Sequence, residues 1–289
     1  MEKKEIFKQL KDDKEAGRIQ WIPAETKISQ LPEEDLQRLC GLVLKETDKK
    51  NIQKAENMID SFKSIKAVSQ YAVPTKWRWN DVGCENWITP IRDQGSCGSC
   101  VAFGTLGALE SVLKIKHYNN SNTIIDLSEA HLFFCGGGTC SQGWHMSDAL
   151  DYIKVNGVPP ESCFPYNINR RCSDTCSNWR NLVGPTKGIN WTLVSNNITQ
   201  MQENLVRYGP QVAAMAVYRD FYYYAGGVYI RTSSDLRGYH CICAIGYDDE
   251  EECWICKNSW GTDWGMAGFF KIGYYECGII GFGFYNITI

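Results

Sequence analysis

Cys100 follows the glycine-rich run Gln94-Gly95-Ser96-Cys97-Gly98-Ser99 and opens a stretch, 101–113, that is apolar around most of a helical circumference. A helix of that kind is buried, and Cys100 stands at its N-terminus. Unpaired N–H groups and the helix dipole favour negative charge there, so the thiol ionises more readily and its thiolate is a nucleophile. Cys97, in the preceding turn, lacks that activation and reads as a structural or disulfide cysteine. A nucleophilic thiol needs an imidazole beside it. Of the four histidines, His117 ends the long helix, His131 begins an amphipathic stretch and His145 adjoins Trp144 in a loop. His240 opens the apolar run 241–247; an acidic turn and a second strand, 253–257, lead to Asn258-Ser259-Trp260-Gly261. The pattern predicts a β-hairpin with His240 and Asn258 at its open end. An asparagine amide there can hold the imidazole by its other ring nitrogen.

The elements that must position these groups divide near residue 72. Residues 1–71 hold 14 Lys+Arg and 13 Asp+Glu, so 27 of 71 are charged, against 36 of the remaining 218. The first segment reads as a polar helical appendage and the second as an aromatic-rich globular body. Two helices are expected in the appendage. One follows Ser29 as a cap, with Pro32 and Glu33, Glu34 and Asp35 in its opening turn and a stripe of Leu36, Leu39, Cys40, Val43 and Leu44. The other covers about 47–66, with Ile52, Ala55, Ile59 and Phe62 on one face. These stripes either pack on each other as a hairpin or dock on the body. The alternation over 211–218, the aromatic cluster 221–224 and the 240–257 hairpin make the C-terminal half β-rich.

Length, 289 residues, allows one large or two medium domains, and a net charge of −3 gives no footprint for nucleic acid or a membrane surface. No run of about 18 apolar residues offers a membrane span. Fourteen cysteines, thirteen of them after residue 80, suggest disulfides and an oxidising compartment; a cytosolic chain with many buried thiols is the alternative. The first ten residues form no leader core, so a leader absent from this sequence is expected. Sequons at Asn119, Asn190, Asn197 and Asn286 add little.

Gln94 to Cys100, Gly238-Tyr239-His240 and Asn258-Ser259-Trp260-Gly261, in that order, resemble the cysteine, histidine and asparagine motifs of the papain family. His240 lies 140 residues after Cys100, within the family's spacing. The resemblance covers 72–289 almost end to end. Val73 to Trp79 looks like a mature N-terminus of the cathepsin C kind, and Trp21 with Arg38-Leu39-Cys40-Gly41 looks like the short cathepsin B propeptide, whose cysteine segment lies over the cleft. The resemblance implies an α+β, papain-like fold of two lobes: a helical left lobe, about 72–185, and an antiparallel β-barrel right lobe, about 186–289. Residues 1–71 would be an inhibitory propeptide, cleaved near 66–74. It implies a cysteine endopeptidase made as a zymogen, with Cys100 as nucleophile, His240 as acid/base, Asn258 as orienter and Gln94 as oxyanion donor. Trp260 would shield the His240–Asn258 bond. Gly143 would bind extended substrate, and Trp144, His145, Ala214, Tyr239 and Phe282 would line an apolar pocket for the second residue upstream of the cut. No cofactor or metal is implied. The implied partners are peptide and protein substrates, the chain's own propeptide and cystatin-like inhibitors, in a lysosome- or vacuole-like compartment or outside the cell. Disulfides Cys97–Cys140, Cys135–Cys172 and Cys163–Cys176 follow by similarity to cathepsin C; Cys84, Cys241, Cys243, Cys253, Cys256 and Cys277 receive no partner.

Two residues depart from the family pattern. Val101 replaces the tryptophan after the nucleophile, which bears on helix position and thiol acidity. Cys140-Ser141-Gln142-Gly143 replaces the family's Cys-Asn-Gly-Gly, where Gln142 could narrow the cleft or shift the loop. The paired histidines of the cathepsin B loop are missing, so an open cleft is expected. Two other readings compete: a zinc site from Cys241, Cys243, Cys253 and Cys256, which strand alternation disfavours, and a non-catalytic papain-fold binding protein.

Overall fold

A computed structural model describes residues 2–64 and 73–289. The helices are α1 (Lys3–Glu15), α2 (Glu33–Arg38), α3 (Glu46–Ser64), α4 (Cys100–Val112), α5 (Met146–Asn156), α6 (Ile198–Tyr208) and α7 (Ile279–Phe282). The strands are β1 (Ile22–Pro23), β2 (Lys76–Arg78), β3 (Asn190–Val194), β4 (Gln211–Tyr218), β5 (Tyr224–Gly226), β6 (Val228–Tyr229), β7 (Leu236–Asp248), β8 (Cys253–Lys257), β9 (Phe269–Gly273) and β10 (Phe284–Thr288). The α+β expectation holds, with helices α4 and α5 in one half and an eight-stranded sheet in the other. The sheet runs β3-β10-β4-β7-β8-β9-β6, with β2 added to β7. It is antiparallel except for β6 on β9.

Every residue of α4 is buried, as its all-round apolar sequence requires. Gly104 lets α4 approach the sheet: a Cβ there would stand 2.7 Å from the Cys241 sulfur. Beneath it, the Glu110 carboxylate takes hydrogen bonds from Thr89 Oγ1 (2.6 Å) and the Leu127 N–H (2.8 Å). The Lys257 ammonium donates to Thr89 at 2.9 Å, so buried charges of opposite sign are both hydrogen-bonded. The three disulfides are Cys97–Cys140, Cys135–Cys172 and Cys163–Cys176, the pairing expected. The other eight cysteines are free thiols.

The N-terminal segment docks on the body. Trp21 is fully buried, tilted against Tyr224 and Tyr229, and donates Nε1–H to the Ile230 carbonyl at 3.0 Å. Strand β1 pairs with β5. Helix α3 lies on α7 so closely that a Cβ on Gly281 would meet Ile52 Cα at 2.7 Å. The Ile52–Ala55 stripe therefore faces the body; the Ile59 and Phe62 side chains, and most of the expected cleavage segment, fall outside what is described.

Three expectations for this segment are corrected. Helix α1 was not anticipated, although Ile6 and Leu10 sit at helical spacing and are buried. Helix α2 is capped by Pro32, not Ser29; Ser29 instead exchanges hydrogen bonds with Thr26. The helix also ends at Arg38, so Leu39 to Leu44 do not continue its stripe. Their backbone finds partners across the body instead, as set out below, and Gly41 carries the low helix propensity that permits the change.

Candidate functional site

Helix α4 starts at Cys100 with Ser99 before it, and the Cys241 N–H points at the Cys100 sulfur from 3.5 Å. That contact sets the thiol beside His240, the preceding residue of β7. Val101 is fully buried, and the helix keeps its N-terminus at Cys100 despite the departure there.

His240 Nε2 lies 2.7 Å from Asn258 Oδ1. The same oxygen accepts the Ser259 N–H at 2.8 Å. A backbone N–H can only donate, which fixes that atom as the amide oxygen and puts the imidazole proton on Nε2. Nδ1 is thereby turned toward the cleft. The hairpin pairing of Cys243 with Lys257 brings the two residues to one end, as the sequence indicated. Trp260 covers the ring with centroids 4.8 Å apart.

Gln94 is completely buried. Ser259 Oγ donates to its Oε1 at 2.7 Å and Cys97 O accepts from its Nε2 at 2.8 Å. These bonds hold the amide with Nε2 facing the cleft.

Residues 39–43 of the N-terminal segment fill that cleft. The Leu39 carbonyl oxygen is 3.2 Å from Gln94 Nε2 and 3.1 Å from His240 Nδ1. The Leu42 N–H donates to Tyr239 O at 3.1 Å, the Trp144 N–H to Gly41 O at 2.9 Å, and the Val43 N–H to Trp144 O at 2.9 Å. The segment thus pairs with both lobes. It fits because glycines meet: a Cβ on Gly41 would stand 2.0 Å from Gly98 O, and one on Gly143 1.9 Å from Gly41 O. Toward this segment Gly143 contributes its missing side chain, and the backbone pairing is made by Trp144.

Burial under this segment sets the electrostatics. It pushes the Cys100 thiol up to about 11, against hydrogen bonds from Cys241, Gly41 and its own helix start that favour the thiolate. The activation expected from the helix N-terminus is therefore outweighed in the closed cleft. Burial also lowers His240 to about 4, although its bonds to Asn258 and Leu39 favour the charged ring. In the closed cleft burial thus disfavours the charged form of both groups.

Of the expected pocket residues, Trp144 and Tyr239 flank Leu42, which is buried. Phe282 packs on Tyr239 with centroids 5.7 Å apart. Ala214 is buried on β4 opposite Cys241. His145 turns its Nδ1 to the Val43 carbonyl at 2.7 Å. Gln142 is exposed in the turn closed by Thr139. Sequence reasoning missed Tyr222, whose hydroxyl donates to Leu36 O at 3.1 Å, and Ser259, whose place beside Asn258 was the available signal. His131 is buried against Trp179 and Tyr152 with no hydrogen-bond partner. Among the described residues no three His, Cys, Asp or Glu side chains are grouped to hold a metal, and no helix is long and apolar enough to cross a membrane.

The sequence model of the family described as papain family cysteine protease matches residues 73–287. Digestive cysteine proteinase 2 of Homarus americanus is 34% identical over 233 residues, covering 78% of this chain and 68% of that protein. A cathepsin L-like peptidase of Aedes aegypti is 33% identical, over 75% of this chain and 67% of its own length. Among solved structures, digestive procathepsin L2 of the Tenebrio molitor larval midgut superposes with a TM-score of 0.77 at 26% identity, over 99% of this chain and 90% of that one. Procathepsin B S9 of Trypanosoma congolense, at 21% identity, shares the fold with a TM-score of 0.74, over 96% and 97% of the two chains.

Proposed function

The chain belongs to the papain family of cysteine proteases, and on that premise we propose that it is an endopeptidase zymogen in which residues 1–71 are the inhibitory propeptide. The observation that carries this reading is the Leu39 carbonyl in the cleft, bonded by Gln94 Nε2 at 3.2 Å with His240 Nδ1 3.1 Å away. A substrate carbonyl about to be attacked would need the Gln94 donor at its oxygen, with His240 Nδ1 close by to protonate the leaving nitrogen.

Once the propeptide leaves, water reaches the cleft and both pKa shifts relax. The Cys100 thiolate and His240 imidazolium then form a pair, supported by the helix N-terminus. The thiolate attacks the substrate carbonyl carbon. Gln94 Nε2–H and the Cys100 N–H hold the oxyanion. His240 gives its Nδ1 proton to the leaving amine, which departs with the C-terminal fragment and leaves a thioester. Water, deprotonated by His240, then releases the acid and restores the thiol. Asn258 keeps Nε2–H engaged throughout, so Nδ1 alone exchanges protons.

The zymogen resists self-cleavage because its chain runs the wrong way. Trp144, Tyr239 and Phe282 form the proposed pocket for the second residue upstream of the cut. Yet Leu42, which lies between Trp144 and Tyr239, is downstream of the Leu39 carbonyl. A substrate placing its upstream residue there runs in the opposite direction.

The Arg38 to Gly41 segment in the cleft supports a short, cathepsin B-like propeptide. The named sequence relatives are digestive and cathepsin L-like enzymes, so the subtype rests on that segment alone. No observation favours a non-catalytic binding role. The apolar pocket predicts that processed enzyme hydrolyses Phe-Arg and Leu-Arg reporters faster than Arg-Arg ones; efficient Arg-Arg cleavage would overturn the pocket assignment.

A further inference from the structure

Glu33, at the start of α2, rests its carboxylate on two arginines of the body. Arg219 Nη1 is 3.2 Å from Oε2 and Nη2 3.3 Å from Oε1; Arg237 Nη2 contacts the same Oε1. Asp235 takes their other sides, bonded to Arg219 Nε and 3.3 Å from Arg237 Nη1. With the N-terminal segment in place their side chains are 20% and 10% exposed. The Arg237 Nε is buried without a hydrogen-bond partner. With Glu33 in place, two positive charges face two negative ones. Removal of the N-terminal segment leaves one positive charge in excess, on planar guanidinium groups suited to a carboxylate.

The pair lies along the cleft. Arg237 is three residues before His240 on β7, at the bulge where Val217 pairs with Gly238 and Tyr218 with Leu236, and so lies within about 10 Å of it. Gly238, between them, lies under Cys40: a Cβ there would stand 2.7 Å from the Cys40 Cβ. Leu42 at Trp144 marks the side upstream of the cut, so α2 and Glu33 mark the side downstream of it. An extended peptide covers about 3.3 Å per residue, and the third residue after the scissile carbonyl reaches the arginines.

We propose that in the processed enzyme Arg219 and Arg237 bind a substrate carboxylate about three residues after the cut, and that Glu33 occupies this site in the zymogen. The inference rests on the protease reading and names a substrate preference of the same cleft. The carboxylate has two sources: an acidic side chain in a longer substrate, or the C-terminus of one that ends there.

The test compares kcat/KM, by chromatography, for peptides sharing one upstream sequence and carrying Glu, Gln or Lys at the third downstream position, all C-terminally amidated. A second pair ends at that position as free acid or amide. Glu is expected to exceed Gln by about 5-fold, with Lys slowest, and the preference to shrink as salt rises. An acid-over-amide preference in the second pair assigns the terminal carboxylate as well. In Arg219→Gln and Arg237→Gln the Glu-to-Gln ratio falls toward one, and in Asp235→Asn, which removes the competing carboxylate, it rises. These ratios are taken within one sample and do not depend on how much of a variant folds. Equal rates for Glu and Gln together with equal rates for acid and amide overturn the proposal, as does an unchanged ratio in Arg237→Gln. A Leu-Arg reporter with no downstream residue separates the two readings: processed wild type that fails to hydrolyse it overturns the protease reading itself.

Discussion

Gly41→Ala should unlock the closed cleft without any cut in the chain. Gly41 is not one of the glycines in the left-handed region, so the change is steric. Its new methyl carbon would stand 2.0 Å from Gly98 O and 2.3 Å from Gly98 C, and both are backbone atoms that no rotamer change can move. Overpacking of this kind costs about 1–3 kcal/mol. The open form carries no such clash, so the closed-to-open equilibrium shifts by about 5- to 150-fold. The assay is alkylation of Cys100 by iodoacetamide in intact zymogen at pH 7, located by peptide mass mapping because eight free thiols are present. Alkylation requires the segment to lift, so its rate should rise by the same factor. Val43→Ala is the control: Val43 is exposed and pairs through its backbone alone, and its rate should stay within about twofold, as expected at a surface position. An unchanged Gly41→Ala rate would refute the claim that the glycine contacts hold the cleft shut.

Acid should open the Cys100→Ala zymogen through His240, which has no thiolate to pair with there once the cleft opens. Its pKa is about 4 in the closed cleft against an ordinary 6.5, so the closed form binds fewer protons than the open one. The stability this group confers is complete above pH 6.5 and is lost as pH falls toward 4, by about 3 kcal/mol in all. Hydrogen exchange at the Leu42 and Val43 amides, corrected for intrinsic rate, should lose protection about tenfold per pH unit across that window; flat protection would contradict it. Gln94→Ala should lower kcat of processed enzyme by about 10²–10³-fold, measured with a Leu-Arg reporter. Trp21→Ala removes a fully buried ring and its bond to Ile230 O, a loss of about 3–5 kcal/mol, and Cys100 alkylation in the intact zymogen should accelerate.

The body of the fold was legible because its signals are local. Buried α4 shows as an all-round apolar helix, and the His240–Asn258 hairpin as two apolar strands around an acidic turn. The N-terminal segment was harder, since its structure is set by what it lies against. Leu36, Leu39, Cys40, Val43 and Leu44 fit a helical stripe, yet Leu39 to Val43 leave the helix because Gln94, His240, Tyr239 and Trp144 offer their backbone better partners than a further helical turn would. The glycine at 41 was the one local sign. The thiol's acidity in the closed cleft was hidden for the same reason: the sequence shows the helix start but not the layer that buries it. The Glu33 contact with Arg219 and Arg237 joins residues about two hundred positions apart, which periodicity cannot reveal.

The most direct test of the central claim is incubation of wild-type and Cys100→Ala zymogen at pH 4.5 with a reducing agent, followed by electrophoresis and a Leu-Arg fluorogenic assay. The account predicts that wild type loses about its first 70 residues as it gains activity, and that the variant stays intact and inactive. Activity retained by Cys100→Ala, or a correctly shortened wild type that hydrolyses nothing, would contradict it.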